Sequence, residues 1–314
     1  MMSVMNLCKK WSVACLGAAL AMAAIPAAAN DMDVLGQFLE QNFPTQQDPL
    51  EALAISKAEQ VEAQALMAGP LLSSQSALIL NNRTGEVLYQ KNANRVMPIA
   101  SISKLMSAIV TLDANLDMNE MVSITPAEID RLKGTGSRLG IGTTLSRKEL
   151  LHLSLMSSEN RATHALGRTY PGGMSAFVAA MNAKAQSLGM SNSRFYEPTG
   201  LDFRNVSTAH DLSRLVAAAG KYPQIGRDST SNYGSVYTVS GRQSYKNSNA
   251  LVREGSWNVE LQKTGYIREA GRSMVMKARI QNQPITIVLL NSPTSAMRVN
   301  DARQIETWMV QRPS

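Results

Sequence analysis

The chain has 314 residues, 44% of them apolar, with 31 lysines and arginines against 24 aspartates and glutamates. That length and apolar content suit one large domain or two intimate lobes, and exclude both a disordered polymer and a small disulfide-stapled scaffold. Aromatic residues make up only 5% and no nucleic-acid-binding motif occurs, so the basic balance does not point to nucleic acid.

Residues 1–29 read as a secretory signal peptide. Lys9 and Lys10 give the positive start, Trp11 to Ile25 is an apolar run too short to span a bilayer comfortably, and Ala27-Ala28-Ala29 offers a small-residue cleavage site. Both cysteines, Cys8 and Cys15, leave with this segment. The exported chain then has no disulfide, no catalytic thiolate and no cysteine zinc site. Residues 30–75 form an acidic arm, with seven acids against Lys57 alone. Pro44 and Pro49 interrupt it, and Leu50 to Met67 predicts a single helix ended by Gly69-Pro70. The body from residue 76 is correspondingly basic. That suits a polyanionic partner, a carboxylate-bearing wall polymer or lipid headgroups.

The body opens as strand, turn and strand: Ala77 to Leu80, Asn81 to Gly85, Glu86 to Tyr89. Pro98 then sets a helix start, and Ile102, Leu105, Met106, Ile109 and Val110 recur at helical spacing as far as Asp113. Ser101 falls in the first turn. Lys104 lies one turn along the same face, close enough to take the proton of the Ser101 hydroxyl. The Ser101 N–H is among the unpaired donors of a helix start, facing an oxygen that turns negative as the hydroxyl attacks a carbonyl. This is the only Ser-x-x-Lys in the chain, and its lysine sits on an Ala/Ser-rich helix that must be buried nearly all round.

Helices are predicted at 125–133, 147–156, 161–168, 174–188 and 208–219. Strand-like sequence returns at Ser235 to Val239 and continues at Asn258 to Thr264, Arg272 to Ile280 and Pro284 to Leu290. A hairpin at Gln281-Asn282-Gln283 joins the last two, and a helix from Ser295 to Val310 follows. Strands from both ends with helices between predict an α+β architecture: an antiparallel sheet flanked by helices with an inserted helical lobe, and a site in the cleft between them. Ser158-Glu159-Asn160 lies on a short loop between two of these helices, where a hydroxyl and an amide point the same way. Lys263-Thr264-Gly265 ends a strand. It offers a fixed positive charge, a hydroxyl donor and a glycine that lets a substrate backbone come close. Neither G-x-S-x-G nor H-E-x-x-H occurs, and His152, His164 and His210 fall on helix faces. A Ser-His-Asp hydrolase and a metallohydrolase are therefore disfavoured, and no cofactor or metal is expected.

In this order, Ser-x-x-Lys on an early buried helix, Ser-x-Asn on a loop and Lys-Thr-Gly on a late strand resemble the penicillin-recognising serine D,D-peptidases and β-lactamases. Residues 98–106, 155–162, 197–201 and 263–266 are similar to the small D-alanyl-D-alanine endopeptidase type of low-molecular-mass penicillin-binding protein. The resemblance spans Ser76 to Val310 and implies a β-lactamase/D,D-peptidase-like fold for residues 76–314. It implies that Ser101 is the nucleophile and Lys104 its base, and that Ser158, with Lys263 beside it, passes a proton to the leaving amine. Asn160 is implied to hold the substrate backbone, Lys263 and Thr264 its carboxylate. The N–H groups of Ser101 and Tyr266, with Gly265 before the latter, are implied to hold the oxyanion. The implied substrates are peptidoglycan stem peptides and their crosslinks, with β-lactams as covalent inhibitors.

Crosslink cleavage is expected on closeness of type, although the same motifs serve a carboxypeptidase. A non-catalytic penicillin sensor is the reading from another class. A β-lactamase needs a second base, and the nearest candidate, Glu197, lies in Glu197-Pro198-Thr199-Gly200 rather than in the E-x-x-L-N setting of class A enzymes. Slow deacylation is expected. Burial beside Lys263 is expected to lower the pKa of Lys104. About fifty residues follow Gly265, so a periplasmic protein without a stable membrane anchor is expected.

Overall fold

The computed structural model describes residues 69–312 and Lys57. The expected signal peptide, and the expected arm helix apart from Lys57, which is helical, lie outside the described residues. In chain order the elements are β1 (Ser76–Asn81), β2 (Val87–Lys91), β3 (Met97–Pro98), a 3₁₀ turn (Ala100–Ile102), α1 (Ser103–Asp113), β4 (Met121–Ser123), a second 3₁₀ turn (Pro126–Glu128), β5 (Thr144–Ser146), α2 (Arg147–Met156) and α3 (Asn160–Arg168). Then follow α4 (Gly173–Ser187), β6 (Val206–Ser207), α5 (Ala209–Ala219), α6 (Pro223–Thr230), β7 (Tyr233–Thr238), β8 (Gly241–Lys246), α7 (Ala250–Glu254), β9 (Asn258–Ile267), β10 (Gly271–Ile280), β11 (Gln283–Ser292) and α8 (Ser295–Gln311).

Strands from the two ends of the body meet in one antiparallel sheet of order β2-β1-β11-β10-β9. Gln281 and Asn282 turn β10 into β11 with φ of 47° and 63°, the left-handed pair that matches the twist of a two-residue hairpin. Both faces of the sheet are covered, which is why β11 reads as a continuous apolar run rather than an alternation. On one face Leu78, Val275, Val288 and Leu290 join the core that holds α1 and α5. On the other, Ile79, Met276, Ile287 and Leu289 pack on Ala302, Ile305 and Trp308 of α8. Asp301 of α8 also ties down the segment entering β1, accepting from the N–H groups of Ser73 and Ser74 at 2.8 Å.

Helix α1 runs through the middle of the molecule, and every residue from Ser103 to Thr111 is buried. It starts later than the sequence suggests. Pro98 belongs to β3, paired with Val206, and Ser101 sits in the 3₁₀ turn before the helix. The helix expected over Thr125 to Lys133 is only the 3₁₀ turn Pro126–Glu128. Beyond it, Asp130 takes the N–H groups of Leu132, Lys133 and Thr135 on its carboxylate, and that local competition wins over a short helix. The strand expected near Val236 pairs with β8 and not with the central sheet. Helices α6 and α7 are too short and polar to show a periodicity. No helix among the described residues is long and apolar enough to cross a membrane.

Candidate active site

Ser101 is presented by strained backbone. Ala100, just before it, has φ of 48°, a left-handed conformation that costs a non-glycine residue about 1 kcal/mol or more. Two glycines press against this peptide from opposite sequence neighbourhoods. A Cβ on Gly200 would stand 1.9 Å from the Ala100 oxygen. One on Gly265 would stand 2.9 Å from the Ile99 oxygen and 3.1 Å from the Ser101 nitrogen. Gly265 therefore makes room for the backbone of Ser101 itself, a tighter demand than the substrate approach expected of it.

Beneath the serine, Lys104 is fully buried. Its Nζ lies 2.8 Å from Ser101 Oγ, 2.8 Å from Asn160 Oδ1 and 2.7 Å from the Thr199 carbonyl oxygen. Burial pulls its pKa down to about 7, against the pull of Glu197 and Glu159, which favour the charged form. Lys263 is held well below the ordinary lysine value by burial first, then by Lys104 and Arg298.

A cleft of about 500 Å³ brings together Ser101, Ser158, Asn160, Thr264, Gly265 and Tyr266, three separate stretches of the chain on one surface. Ser158 has φ of 64°, so the Ser-x-Asn turn is strained as well. Asn160 is the first residue of α3, its Oδ1 accepting from Lys104 and its Nδ2 donating to Thr135 Oγ1 at 3.1 Å. Thr264 Oγ1 donates to Ser248 Oγ at 2.8 Å.

Lys263 lies on β9 directly before Thr264. It is fully buried under the cleft floor and its Nζ donates to the Thr264 carbonyl at 3.0 Å. Among the described residues it makes no hydrogen bond to Ser158. It is therefore not exposed on the surface that a substrate would meet.

Cationic charge in the cleft comes from elsewhere. Lys133, Arg268, Arg272 and Arg298 line it together with no aspartate or glutamate. Arg298, on α8, is 5% exposed. It donates from Nη1 to the Ser273 carbonyl at 3.2 Å, while its buried Nε has no partner. Burial, then repulsion from Arg272, lowers its pKa to about 10, so it stays charged at neutral pH. Neither arginine was visible as a site residue in the sequence. Both lie on ordinary-looking helix or strand sequence far from any motif, and only the hairpin and α8 packing bring them to the cleft.

Glu197 is also not a free base. Its carboxylate accepts from Thr199 N–H at 2.7 Å, from Gly200 N–H, and from Asn205 Nδ2 at 3.2 Å. It holds the loop that offers the Thr199 carbonyl to Lys104 and brings Gly200 against Ala100. Glu197 is not among the residues lining the cleft. Among the described residues no group of three or more His, Cys, Asp or Glu is placed to hold a metal.

The chain resembles known proteins over the same region. A D-alanyl-D-alanine carboxypeptidase (peptidase S11) family model matches residues 60–294. A D-alanyl-D-alanine endopeptidase of Pseudomonas aeruginosa is 43% identical over 76% of this chain and 77% of its own. The Escherichia coli D-alanyl-D-alanine endopeptidase is 43% identical over 76% of this chain and 78% of its own. The crystal structure of the Streptomyces K15 DD-transpeptidase superposes with a TM-score of 0.72 at 26% identity, covering 78% of this chain and 99% of that one. Fold, sequence match and the joining of three motifs on one cleft agree: the chain belongs to the D-alanyl-D-alanine carboxypeptidase family of serine peptidases.

Proposed function

We propose that this protein is a serine D,D-endopeptidase that hydrolyses D-alanyl–meso-diaminopimelate crosslinks of peptidoglycan and is acylated by β-lactams. The observation that carries the reading is the buried amine of Lys104, near neutral pKa, 2.8 Å from Ser101 Oγ. A neutral amine there accepts the hydroxyl proton as Oγ attacks the D-alanyl carbonyl carbon. The oxygen of that carbonyl turns negative between the N–H groups of Ser101 and Tyr266, each such donor being worth about 3 kcal/mol or more in this kind of step. Collapse breaks the C–N bond, the proton passes by way of Ser158 to the leaving amine, and Ser101 is left as an ester. Water then attacks the ester, with Lys104 again taking a proton, and frees the enzyme. Asn160 aligns the substrate backbone. Thr264 and the buried guanidinium of Arg298 take the carboxylate beside the scissile nitrogen, a group β-lactams share. Lys263, buried behind Thr264, donates from Nζ to the Thr264 carbonyl and so steadies the strand end that carries Thr264 and Gly265.

Crosslink cleavage is favoured over carboxypeptidase action by the likeness to relatives named endopeptidases at 43% identity, against 28% for a Bacillus subtilis D-alanyl-D-alanine carboxypeptidase. The predicted signal peptide supports action in the periplasm, where the wall is. Purified protein is expected to convert crosslinked muropeptide dimers to monomers without releasing D-alanine, and Ser101→Ala is expected to leave them whole. Free D-alanine from pentapeptides with dimers intact would make it a carboxypeptidase.

A further inference from the structure

The acid-free lining of the cleft holds more positive charge than one substrate carboxylate requires. Of its four cations, Lys133 is paired with Glu269 at 2.5 Å across the cleft mouth, and Arg268 also acts on Glu269. Arg298 lines the cleft at 5% exposure and is the guanidinium given above to the carboxylate beside the scissile nitrogen. Arg272 is left. It faces Tyr266 across the β9–β10 pair, and its guanidinium lies 3.3 Å from the centre of the Tyr266 ring. Tyr266 is 51% exposed, so this stack stands at the rim of the cleft. Among the described residues Arg272 has no acidic partner and no side-chain hydrogen bond. It also repels Arg298. Two guanidiniums are thus fixed by a carbonyl and a ring rather than by a carboxylate, one deep and one at the edge. Stacking leaves the in-plane N–H groups of an arginine free for an anion.

Leaving groups differ in what they offer to such a pair. Free D-alanine, the leaving group of a carboxypeptidase, has one carboxylate, which is used on Arg298. The leaving strand of a crosslink has the same carboxylate on its diaminopimelate residue and further carboxylates on the same stem peptide, out beyond the rim. We propose that Arg272 is a specificity residue that binds a second carboxylate of the leaving stem peptide and so favours crosslinks over terminal D-alanine. This rests on the endopeptidase reading and assigns the side of the cleft that enforces it. Binding the second anion also relieves the repulsion between the two arginines, which couples recognition of the far carboxylate to that of the near one.

The test compares Arg272→Gln with wild type on three substrates: crosslinked dimers, pentapeptide monomers and benzylpenicillin, which carries a single carboxylate. Losing a charged hydrogen-bonding partner is expected to lower kcat/KM on dimers about tenfold. Benzylpenicillin acylation, and any D-alanine release, are expected to change less than about twofold, which also shows that the variant is folded. Dimers whose leaving-strand carboxylates outside the scissile site are amidated are expected to be cut by wild type about tenfold more slowly, with no further loss in Arg272→Gln. An equal loss on benzylpenicillin and dimers would give Arg272 to the common carboxylate and overturn the proposal, as would unchanged dimer cleavage. Wild type that reacts with benzylpenicillin but leaves dimers whole would instead overturn the endopeptidase reading, and this inference with it.

Discussion

Lys104→Met is expected to slow acylation by β-lactam and by peptide on the order of 10³-fold or more. A positioned base contributes about 10² to 10⁴ in rate on its own. Here its loss also removes the partner of Ser101 Oγ and leaves Asn160 Oδ1 and the Thr199 carbonyl without their common donor. Methionine nearly matches lysine in volume, so the core is expected to hold and the effect to appear in rate rather than in folding. Lys104→Arg is expected to be as inactive, because guanidinium stays protonated at any pH the protein survives. In wild type the base works only as the neutral amine. The acylation rate is therefore expected to climb as pH rises through about 7 and then level off. Stopped-flow acylation between pH 5 and 9 measures this, and a rate already at its plateau at pH 5 would remove Lys104 as the base.

Gly200→Ala is expected to disable the site from outside the motifs. The new methyl would meet the Ala100 oxygen at 1.9 Å and the Ser101 nitrogen at 2.7 Å, backbone atoms of an already left-handed turn, so neither side yields cheaply. Moving the Glu197–Asp202 loop away is the remaining response, and it withdraws the Thr199 carbonyl from Lys104. A loss of activity of about a hundredfold or more is expected, with melting lowered by several degrees. Gly85→Ala is the control. Gly85 has a similar φ of 76° but nothing within 4 Å of its would-be Cβ, so only the conformational cost of about 1 kcal/mol is expected, with activity unchanged. Equal behaviour of the two variants would show that contact with the nucleophile's turn does not matter.

The contrast between these glycines also shows what a sequence can carry. Apolar strand runs, the Gln281-Asn282-Gln283 hairpin and the apolar positions of α1 are local signals, enough to place the central strands and the helix beside Ser101 though not the residue at which that helix starts. Ser101 and Lys104 are three residues apart, so any helical turn brings them together, 3₁₀ or α. What the sequence hides depends on contacts between distant segments. Lys263 reads as a fixed charge at a strand end, and only the fold shows that it is fully buried with its Nζ on the Thr264 carbonyl. The setting of Glu197 already argues against a second base, but that its carboxylate is taken up by the N–H groups of its own loop is seen only in the fold. Arg298 carries no motif signal, and only the packing of α8 on β10 brings its guanidinium to the Ser273 carbonyl and the cleft. The expected helix at Thr125 to Lys133 failed for the opposite reason. Its periodicity was real, but Asp130 bonds more N–H groups locally than a helix turn would satisfy for it.

In the proposed mechanism Ser101, activated by Lys104, is the residue that becomes acylated. Treating the purified protein with benzylpenicillin, digesting it and mapping the adduct by mass spectrometry tests this most directly. One penicilloyl group is expected, on the peptide containing Ser101, persisting for minutes to hours for want of a dedicated deacylating base, and absent from Ser101→Ala. An adduct on another residue, or equal labelling of Ser101→Ala, would contradict the account.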